Sequence, residues 1–230
     1  MGLNERETQT TFLSLTKKGW AVRVAKDDPN AVMRINANNK EVFERFFESV
    51  EGYLVDIKVV QKDLGKGLVT LIEFKLFDGS QNYTISLGYH DGRAKSILHR
   101  LPNIILSKPI KIKALYFKNE DSIALGIYQD GNTNTHPEHK TVNRFWNRES
   151  PDLPQFEVID MGPHEKAKVN DTKQMVFLID YVQKSVLPKI RFNQQLSPED
   201  PAIKMKVAGL KREDLDIEES GEFANDDLPF

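Results

Sequence analysis

The sequence predicts a mainly β protein with helical additions, and three observations support that prediction. Through the middle of the chain, apolar and polar residues alternate in short runs, which is the two-residue period of a strand with one buried face. Turn signals that contain glycine separate these runs. In one stretch the period changes to that of an amphipathic helix, which Pro102 ends. The apolar residues of this helix are Ala94, Ile97, Leu98 and Leu101.

Five strands are predicted between Gly52 and Asp130, with the helix between the third and the fourth. They cover residues 53–59, 68–77, 83–89, 110–114 and 123–128. Three strands, a helix and two strands make up the OB-fold, a five-stranded Greek-key barrel that binds oligonucleotides and oligosaccharides. We therefore expect an OB-fold with N- and C-terminal extensions and a barrel core at about residues 52–130, although the same elements also fit another α+β arrangement.

Two local predictions concern the first part of the chain. In the first barrel strand, the alternation places Tyr53, Val55, Ile57 and Val59 on one face. The segment from Lys40 to Val50 has apolar residues at helical spacing, which predicts a helix. Short strands are expected at residues 20–24 and 31–35, and the first 18 residues are expected to form an arm.

The predicted C-terminal extension begins with a long excursion over residues 132–170. It contains one short strand at residues 156–159. A helix is expected over residues 171–187, where apolar residues recur at helical spacing and Pro188 follows.

Charge is unevenly distributed along the chain. From Lys211 to Phe230, two basic and eight acidic residues give −6, which leaves +4 for residues 1–210 out of the total of −2. A basic body with an acidic end suits a protein that binds a polyanion and seeks partners with its tail. A purely solubilising tail fits the same charges. We predict one domain of residues 1–196 and an acidic, largely disordered tail of residues 197–230.

The composition excludes several classes of function. The chain has no cysteine, which excludes disulfides, thiolate metal sites and cysteine nucleophiles and is typical of a reducing cytoplasm. No apolar run reaches the about 18 residues of a membrane-spanning helix. The N-terminal residues lack the apolar core of a signal peptide. We therefore expect a cytoplasmic location and no membrane partner.

Motifs for catalysis and for cofactor binding are missing from the sequence. Gly65-Lys66-Gly67 has neither the spacing nor the following serine or threonine of a phosphate-binding loop. His136-Pro137-Glu138-His139 lies in a polar loop without the helix that would turn both rings towards one metal ion. No serine lies in a nucleophile-elbow context. We expect a protein that is not an enzyme and uses no cofactor or metal.

Cations and aromatic rings in the predicted barrel indicate a site for single-stranded nucleic acid. Such a site needs positive charge for the phosphates and rings on which bases stack. The predicted cations are Lys58, Lys62, Lys75, Arg93, Lys111 and Lys113. Phe77, Phe117 and Tyr128 are the predicted stacking residues, because they lie opposite the main apolar residues of their strands. Lysines on an outer face also occur on surfaces that are merely solvated.

Two further segments mix basic and aromatic residues. Residues 140–148 include Arg144 and Trp146, and Trp20 follows two lysines. We predict Trp20, Arg144 and Trp146 as additional nucleic-acid-binding residues. In the alternative interpretation, these tryptophans pin their segments to the barrel and contact no ligand.

The chain ends on an acidic stretch followed by Asp226-Asp227-Leu228-Pro229-Phe230. This end resembles the tip of bacterial single-stranded DNA-binding proteins, in which aspartates, an aliphatic residue and proline precede a terminal phenylalanine. The resemblance implies that Asp226, Asp227, Leu228, Pro229 and Phe230 bind partner proteins. A terminal carboxylate pairs with a cation, the phenylalanine ring fills an apolar pocket, and the aspartates meet a basic rim. The long body and the short acidic tail are more similar to phage-type members of this class.

The resemblance and the strand order together imply a protein that coats single-stranded DNA in replication, recombination or repair. Polymerase, helicase, primase or nuclease partners are expected at the tip, in a bacterial cell or a phage-infected host, and homo-oligomers are compatible with the sequence. The alternative is an adaptor that docks on a replication hub through the same tip but binds no DNA. A nuclease would need a carboxylate cluster for Mg²⁺, and no spacing of acidic residues indicates one.

Overall fold

The structure, a computed structural model, describes residues 10–36, 39–63, 65, 67–147, 150–159 and 168–195. The chain divides into a unit of residues 1–193 and a unit of residues 194–230. Of the second unit, only residues 194 and 195 are described. The tip from Asp226 to Phe230 therefore lies outside the described residues, and the predicted domain boundary at residue 196 stays a prediction.

A curled, nine-stranded sheet with mixed pairing forms a half-barrel and confirms a mainly β protein. Its strands are β1 (Thr10–Thr16), β2 (Gly19–Arg23), β3 (Val32–Ile35), β4 (Glu41–Phe47), β5 (Ser49–Asp63), β6 (Leu68–Phe77), β7 (Asn82–Gly88), β8 (Ile110–Phe117) and β9 (Ser122–Tyr128). Their order across the sheet is β3-β4-β2-β1-β7-β6-β5-β8-β9. β1 runs parallel to β7, and the neighbouring pairs on either side are antiparallel. A separate antiparallel pair consists of β10 (Glu157–Ile159) and β11 (Lys168–Asn170).

The five strands predicted between residues 52 and 130 are all present, as β5 to β9. β8 lies beside β5, so β8-β5-β6-β7 has the spatial order of a Greek key. β9 continues from β8 as a hairpin, and α1 (Gly92–Leu98) connects β7 to β8. The far edge of β7 pairs with β1, so strands from the N-terminal segment extend this sheet.

The prediction of a helix from Lys40 to Val50 is wrong. This segment forms β4 and the beginning of β5. β4 pairs with β2 on one side and with β3 on the other, which places its backbone in two ladders. Aromatic and β-branched residues favour such strands, and their spacing here fits both periods. In the predicted N-terminal arm, residues Thr10–Thr16 form β1 and belong to the sheet.

A β-bulge in β5 changes the predicted faces of the first barrel strand. The register between β5 and β6 shifts between Leu54 and Asp56. Because an extra residue reverses the alternation of side chains, Tyr53 and Ile57 lie on opposite faces. Ile57 is buried, whereas Tyr53 is 38% exposed. The prediction that these two residues share a face is therefore wrong.

Trp20 belongs to the core that the curled sheet encloses. Its side chain is fully buried, and its Nε1 donates a 3.0 Å hydrogen bond to the carbonyl oxygen of Ile112. This bond joins β2 to β8, which lie far apart in the strand order, and so fixes the curl of the sheet. Because the indole has no exposed surface, the structure places Trp20 in the core and not on a nucleic-acid surface.

Helical segments cover part of the core. A 3₁₀ turn (Leu101–Asn103) follows α1, and near the C-terminus α2 (Thr172–Tyr181), a π-helical turn (Val182–Val186) and α3 (Leu187–Gln195) are continuous. The predicted end of this helix at Pro188 is wrong. Pro188 is the second residue of α3, where its missing N–H is tolerated after the wide π turn. None of the helices in the described part of the chain is long and apolar enough to cross a membrane.

Candidate nucleic-acid interface

Five of the predicted lysines lie on one face of the curled sheet, opposite its core. Directly paired residues of antiparallel strands share a face. The buried pair Ile57–Phe74 therefore lies on the core face, and the pairs Asp56–Lys75 and Lys58–Glu73 lie on the opposite face. We call the latter surface the outer face. Its predicted cations are Lys58, Lys62, Lys75, Lys111 and Lys113.

Three predicted aromatic residues lie on the outer face as well, and their exposure differs. Phe117 at the end of β8 is 47% exposed, and Phe77 is half-buried opposite Tyr53. The ring of Tyr128 lies over Gly126, where an added Cβ would come within 2.9 Å of the ring. Phe117 is therefore the most accessible of the three predicted stacking residues, while Gly126 provides the space that Tyr128 occupies.

Carboxylates pair with most of the lysines on the outer face. The ion pairs are Lys58–Asp56 (3.1 Å), Lys62–Glu73 (2.5 Å), Lys111–Glu51 (3.8 Å) and Lys113–Glu48. The Glu73 carboxylate is buried, so its charge acts on Lys62 with little screening. Lys75 has no ion pair with any described residue. The positive field of the outer face is consequently weaker than its number of lysines suggests, and Lys75 is its unpaired cation.

Phe12 in β1 lies on the outer face and is not among the predicted site residues. The parallel register places Phe12 beside Thr84 of β7, and Thr84 lies opposite Lys75 of β6. The Phe12 ring is 61% exposed, and Lys62 Nζ lies 5.6 Å from its centroid. An exposed ring close to two cations is the combination that a base and its phosphate require. Local sequence carries no signal for this long-range parallel pairing.

Arg93 is held at the beginning of α1, away from the strands. The Asp91 carboxylate caps this helix by accepting a 2.8 Å hydrogen bond from the Arg93 backbone N–H. The Arg93 guanidinium binds the same carboxylate. Burial acts to raise the pKa of Asp91, but the hydrogen bonds from Arg93 outweigh it and lower this pKa. Arg93 therefore neutralises a helix cap, and the structure does not bring it onto the outer face.

Trp146 is buried, which agrees with the alternative interpretation of residues 140–148. Its ring stands nearly perpendicular to the rings of Phe177 and Tyr181 in α2, with centroids 5.4 and 4.7 Å away. The tryptophan thus pins the segment to the helical layer and presents no face to a ligand. Its neighbours Arg144 and Phe145 are both exposed.

A cavity of about 430 Å³ lies between the N-terminal strands and the first residues of β5 and β7. It is lined in part by Arg45 and Phe47 of β4, with the guanidinium carbon 5.0 Å from the centroid of the ring. Gln81, which precedes β7, and Tyr83 of β7 supply further polar groups to its lining. Arg45 and Phe47 are not among the predicted site residues, because the spacing of apolar residues predicts a helix in this segment.

Asp78 organises the turn between β6 and β7 beside this cavity. Its carboxylate accepts hydrogen bonds from Ser80, from Gln81 and from the Tyr83 hydroxyl at 2.8 Å. Burial acts to raise the pKa of Asp78, but the backbone and hydroxyl donors outweigh burial and lower it to about 2. The carboxylate is therefore ionised throughout the physiological range and holds the turn in one form.

His136, Glu138 and His139 form the cluster of possible metal ligands within the described residues, with ligand atoms within 4.8 Å of one another. The two imidazole rings are stacked, with an interplanar angle of 14°. Lone pairs of imidazole nitrogens lie in the ring planes, so nearly parallel rings do not direct them to one point. The His136 Nδ1 also accepts a 3.3 Å hydrogen bond from the Glu138 N–H. This arrangement does not form a preorganised metal site.

No protein-family model matches the chain, and neither a curated protein nor a solved structure matches it.

Proposed function

We propose that this protein binds single-stranded DNA on the outer face and coats it without catalysis. The observation that carries the proposal is the position of Phe12 next to Lys75, across β7. Phe12 offers an exposed ring for a base, and Lys75 offers a charge that no described carboxylate neutralises. Four further lysines share the face, which gives the phosphates a path across several strands.

The order of β5 to β9 supports an OB-fold as the architecture behind this face. A three-stranded meander, a helix, a return to the first strand and a final hairpin are the parts of that barrel. Oligonucleotides bind to OB-folds on the face of the second and third strands. These would be β6, which carries Lys75, and β7, which lies between Lys75 and Phe12. In this proposal β1 is an addition that widens the binding face.

The ion pairs of the outer face are compatible with DNA binding. The carboxylates of Glu48 and Glu51 are exposed, and such ion pairs contribute only about 0–1 kcal/mol, so a phosphate displaces these carboxylates from Lys113 and Lys111 at low cost. Binding should therefore depend on salt, with a slope of about −0.7 in log affinity against log salt for each phosphate neutralised. We assign the protein to DNA replication, recombination or repair, the processes in which single strands are exposed.

Substitutions of Phe12 and Lys75 test the proposed interface. Removing a stacking ring should weaken binding by about 1–3 kcal/mol, so we expect that loss for Phe12→Ala. Lys75→Ala should reduce the salt slope by about 0.7, because one phosphate contact is lost. Fluorescence anisotropy of labelled oligo(dT) over a range of salt concentrations measures both effects.

Val176→Ala and Lys189→Ala are matched controls, because both residues are exposed and lie on the C-terminal helical segment. They should bind oligo(dT) like the unchanged protein. The proposal fails if neither the full chain nor a version ending at Lys211 binds oligo(dT) at low salt.

We also propose that the tip from Asp226 to Phe230 recruits partner proteins. Deleting Leu228-Pro229-Phe230 should abolish binding to a purified polymerase, helicase, primase or nuclease partner, because it removes the apolar anchor. Oligo(dT) binding should be unchanged or tighter. Phe223→Ala is the matched control, since Phe223 lies in the same acidic tail outside the tip. Equal losses for Phe223→Ala and Phe230→Ala would contradict a specific role of the tip.

The pairing of most outer-face lysines with carboxylates favours a second function, that of an adaptor. Such a protein would use the same tip to dock on a replication hub and would leave the outer face unoccupied. A pulldown on immobilised oligo(dT) separates the two functions, because an adaptor is not retained at low salt while its tip still binds the partner.

A further inference from the structure

The segment from Thr141 to Asn147 is fixed against α1 and α2. Phe145 N–H donates a 2.8 Å hydrogen bond to the carbonyl oxygen of His99 at the end of α1. The Arg100 Nε donates to the Val142 carbonyl oxygen, also at 2.8 Å. The Trp146 ring packs against Phe177 and Tyr181 of α2. Backbone and side chain together hold this segment in place, so the residues that it exposes are preorganised.

Arg100 and Arg144 form a positive site without a described counter-charge. Arg100 is half-buried, and its Nη1 donates to the backbone oxygen and to the hydroxyl of Ser96. Neither arginine has an ion pair with a carboxylate in the described parts of the chain. Burial first, and then the charge of Arg144, lower the pKa of Arg100 to about 10. Because the Arg100 Nε binds the carbonyl oxygen two residues before Arg144, both cations belong to the same stretch of surface, and an anion there would interact favourably with both.

Phe145 places an aromatic ring next to this charge. The ring is 54% exposed and stands at 89° to the Trp146 ring, with centroids 5.2 Å apart. It follows Arg144 directly in the chain, and its backbone is bonded to the residue that precedes Arg100. Arg144 and the exposed Phe145 ring thus lie on one fixed segment, and the Arg100 side chain binds the backbone of the same segment.

We propose that Arg144, Arg100 and Phe145 bind one nucleotide of single-stranded DNA, with the phosphate at the two guanidinium groups and the base on the Phe145 ring. This inference rests on the proposed function and adds a contact away from the outer face. It also replaces Trp146 by Phe145 as the stacking residue of the segment, because Trp146 is the anchor that holds it.

The test measures binding of labelled oligo(dT) by the full-length protein and its variants. Phe145→Ala should weaken binding by about 5- to 150-fold, the effect of one lost base stack, and Phe145→Trp should restore it. Arg144→Ala should reduce the salt slope by about 0.7, whereas Arg144→Lys should keep it. Arg191→Ala and Val176→Ala are the controls, since both residues are exposed on the C-terminal helices. Thermal unfolding followed by circular dichroism verifies that each variant is folded.

The possible outcomes separate this inference from the proposed function. If the unchanged protein binds and Phe12→Ala weakens binding, while Phe145→Ala and Arg144→Ala behave like the controls, the nucleotide site is refuted and the outer face stands. If the unchanged protein does not bind, both proposals fall. Ultraviolet cross-linking of oligonucleotides that contain 5-iodouracil gives an independent measurement. A cross-link on Phe145 supports the site, and cross-links confined to β1 and β5 to β8 overturn it.

Discussion

Replacing Trp20 by alanine is expected to lower the free energy of unfolding by about 3–5 kcal/mol, the cost of truncating a large buried ring. The indole is fully buried in the core and lines the cavity beside β4, so the truncation removes buried apolar contacts and enlarges that cavity. It also removes the hydrogen bond to the Ile112 carbonyl oxygen, whose net contribution is about 0.5–1.5 kcal/mol. Since domains are stable by only about 5–15 kcal/mol, much of this variant should be unfolded at 37 °C.

A substitution series separates the two contributions of Trp20. Trp20→Phe keeps most of the apolar surface but loses the Nε1 donor, so its loss should be smaller than that of Trp20→Ala. Phe12→Ala is the control, because Phe12 lies on the neighbouring strand and is 61% exposed. Its loss should stay below about 1 kcal/mol, as for other exposed positions. Urea unfolding followed by far-ultraviolet circular dichroism measures all three. A loss for Trp20→Ala no larger than that for Phe12→Ala would show that the bond between β2 and β8 does not stabilise the half-barrel.

The burial of Trp20 and Trp146 illustrates what composition does not reveal about a site. Both tryptophans have basic neighbours in sequence, which is equally true of a stacking residue and of an anchor. Whether a tryptophan becomes a stacking residue or an anchor depends on contacts with residues that are distant in sequence. For Trp20 this residue is Ile112, and for Trp146 the contacts are with α2. Intrinsic tryptophan fluorescence is consequently a probe of folding in this protein, and labelled oligonucleotides are needed to measure binding.

The strands between residues 52 and 130 could be predicted because each has one buried and one polar face. The alternation also predicted correctly that Lys58, Lys75, Lys111 and Lys113 lie opposite the core. Their carboxylate partners could not be predicted, because the pairs Lys62–Glu73 and Lys113–Glu48 depend on cross-strand register and on the turn into β5. The net charge of the outer face therefore depends on which residues the strand register brings together.

The N-terminal strands show why local periodicity has limits. In β4 the apolar residues fit both a helix and a strand, and the ladders with β2 and β3 decide between them. Phe12 and Phe47 reach the surface through pairings that link distant segments, and no turn signal or period marks such pairings. In β5 a single bulged residue reversed the face of Tyr53 relative to Ile57.

Replacing Asp171 by asparagine is the second substitution with a large expected effect. The Asp171 carboxylate is 7% exposed and binds both Lys95 of α1 and the Nδ1 of His90. It thereby ties α1 to the beginning of α2, the helix on which Trp146 packs. The asparagine keeps the shape of the side chain but leaves the Lys95 ammonium, 21% exposed, without its counter-charge. Breaking a buried pair in this way costs about 3–5 kcal/mol, and the residual exposure of Lys95 places our expectation near 3 kcal/mol.

The matched control is Asp180→Asn in the same helix. Asp180 pairs with Lys184 one turn later, and both side chains are largely exposed. Such a pair contributes only about 0.3–0.5 kcal/mol, so this variant should unfold almost like the unchanged protein. In the double variant Lys95→Met with Asp171→Asn, no unpaired charge remains. It should therefore be more stable than Asp171→Asn alone, and a double variant that is less stable would contradict the ion pair as the cause.

The effect of Asp171→Asn should also depend on pH in a defined direction. Burial acts to raise the pKa of Asp171, but hydrogen bonds from Lys95 and His90 outweigh it and hold this pKa below its usual range. In the unfolded chain the carboxyl group titrates near its usual pKa of about 3.9. The carboxylate therefore stabilises the fold fully above about pH 5 and loses this contribution as the pH falls through 4 towards the lowered pKa.

Urea unfolding at pH 7 and at pH 3.5 measures this dependence. The difference in the free energy of unfolding between the unchanged protein and Asp171→Asn should be smaller at pH 3.5. A difference that is equal at both values would mean that packing, and not the charge of Asp171, holds α1 to α2.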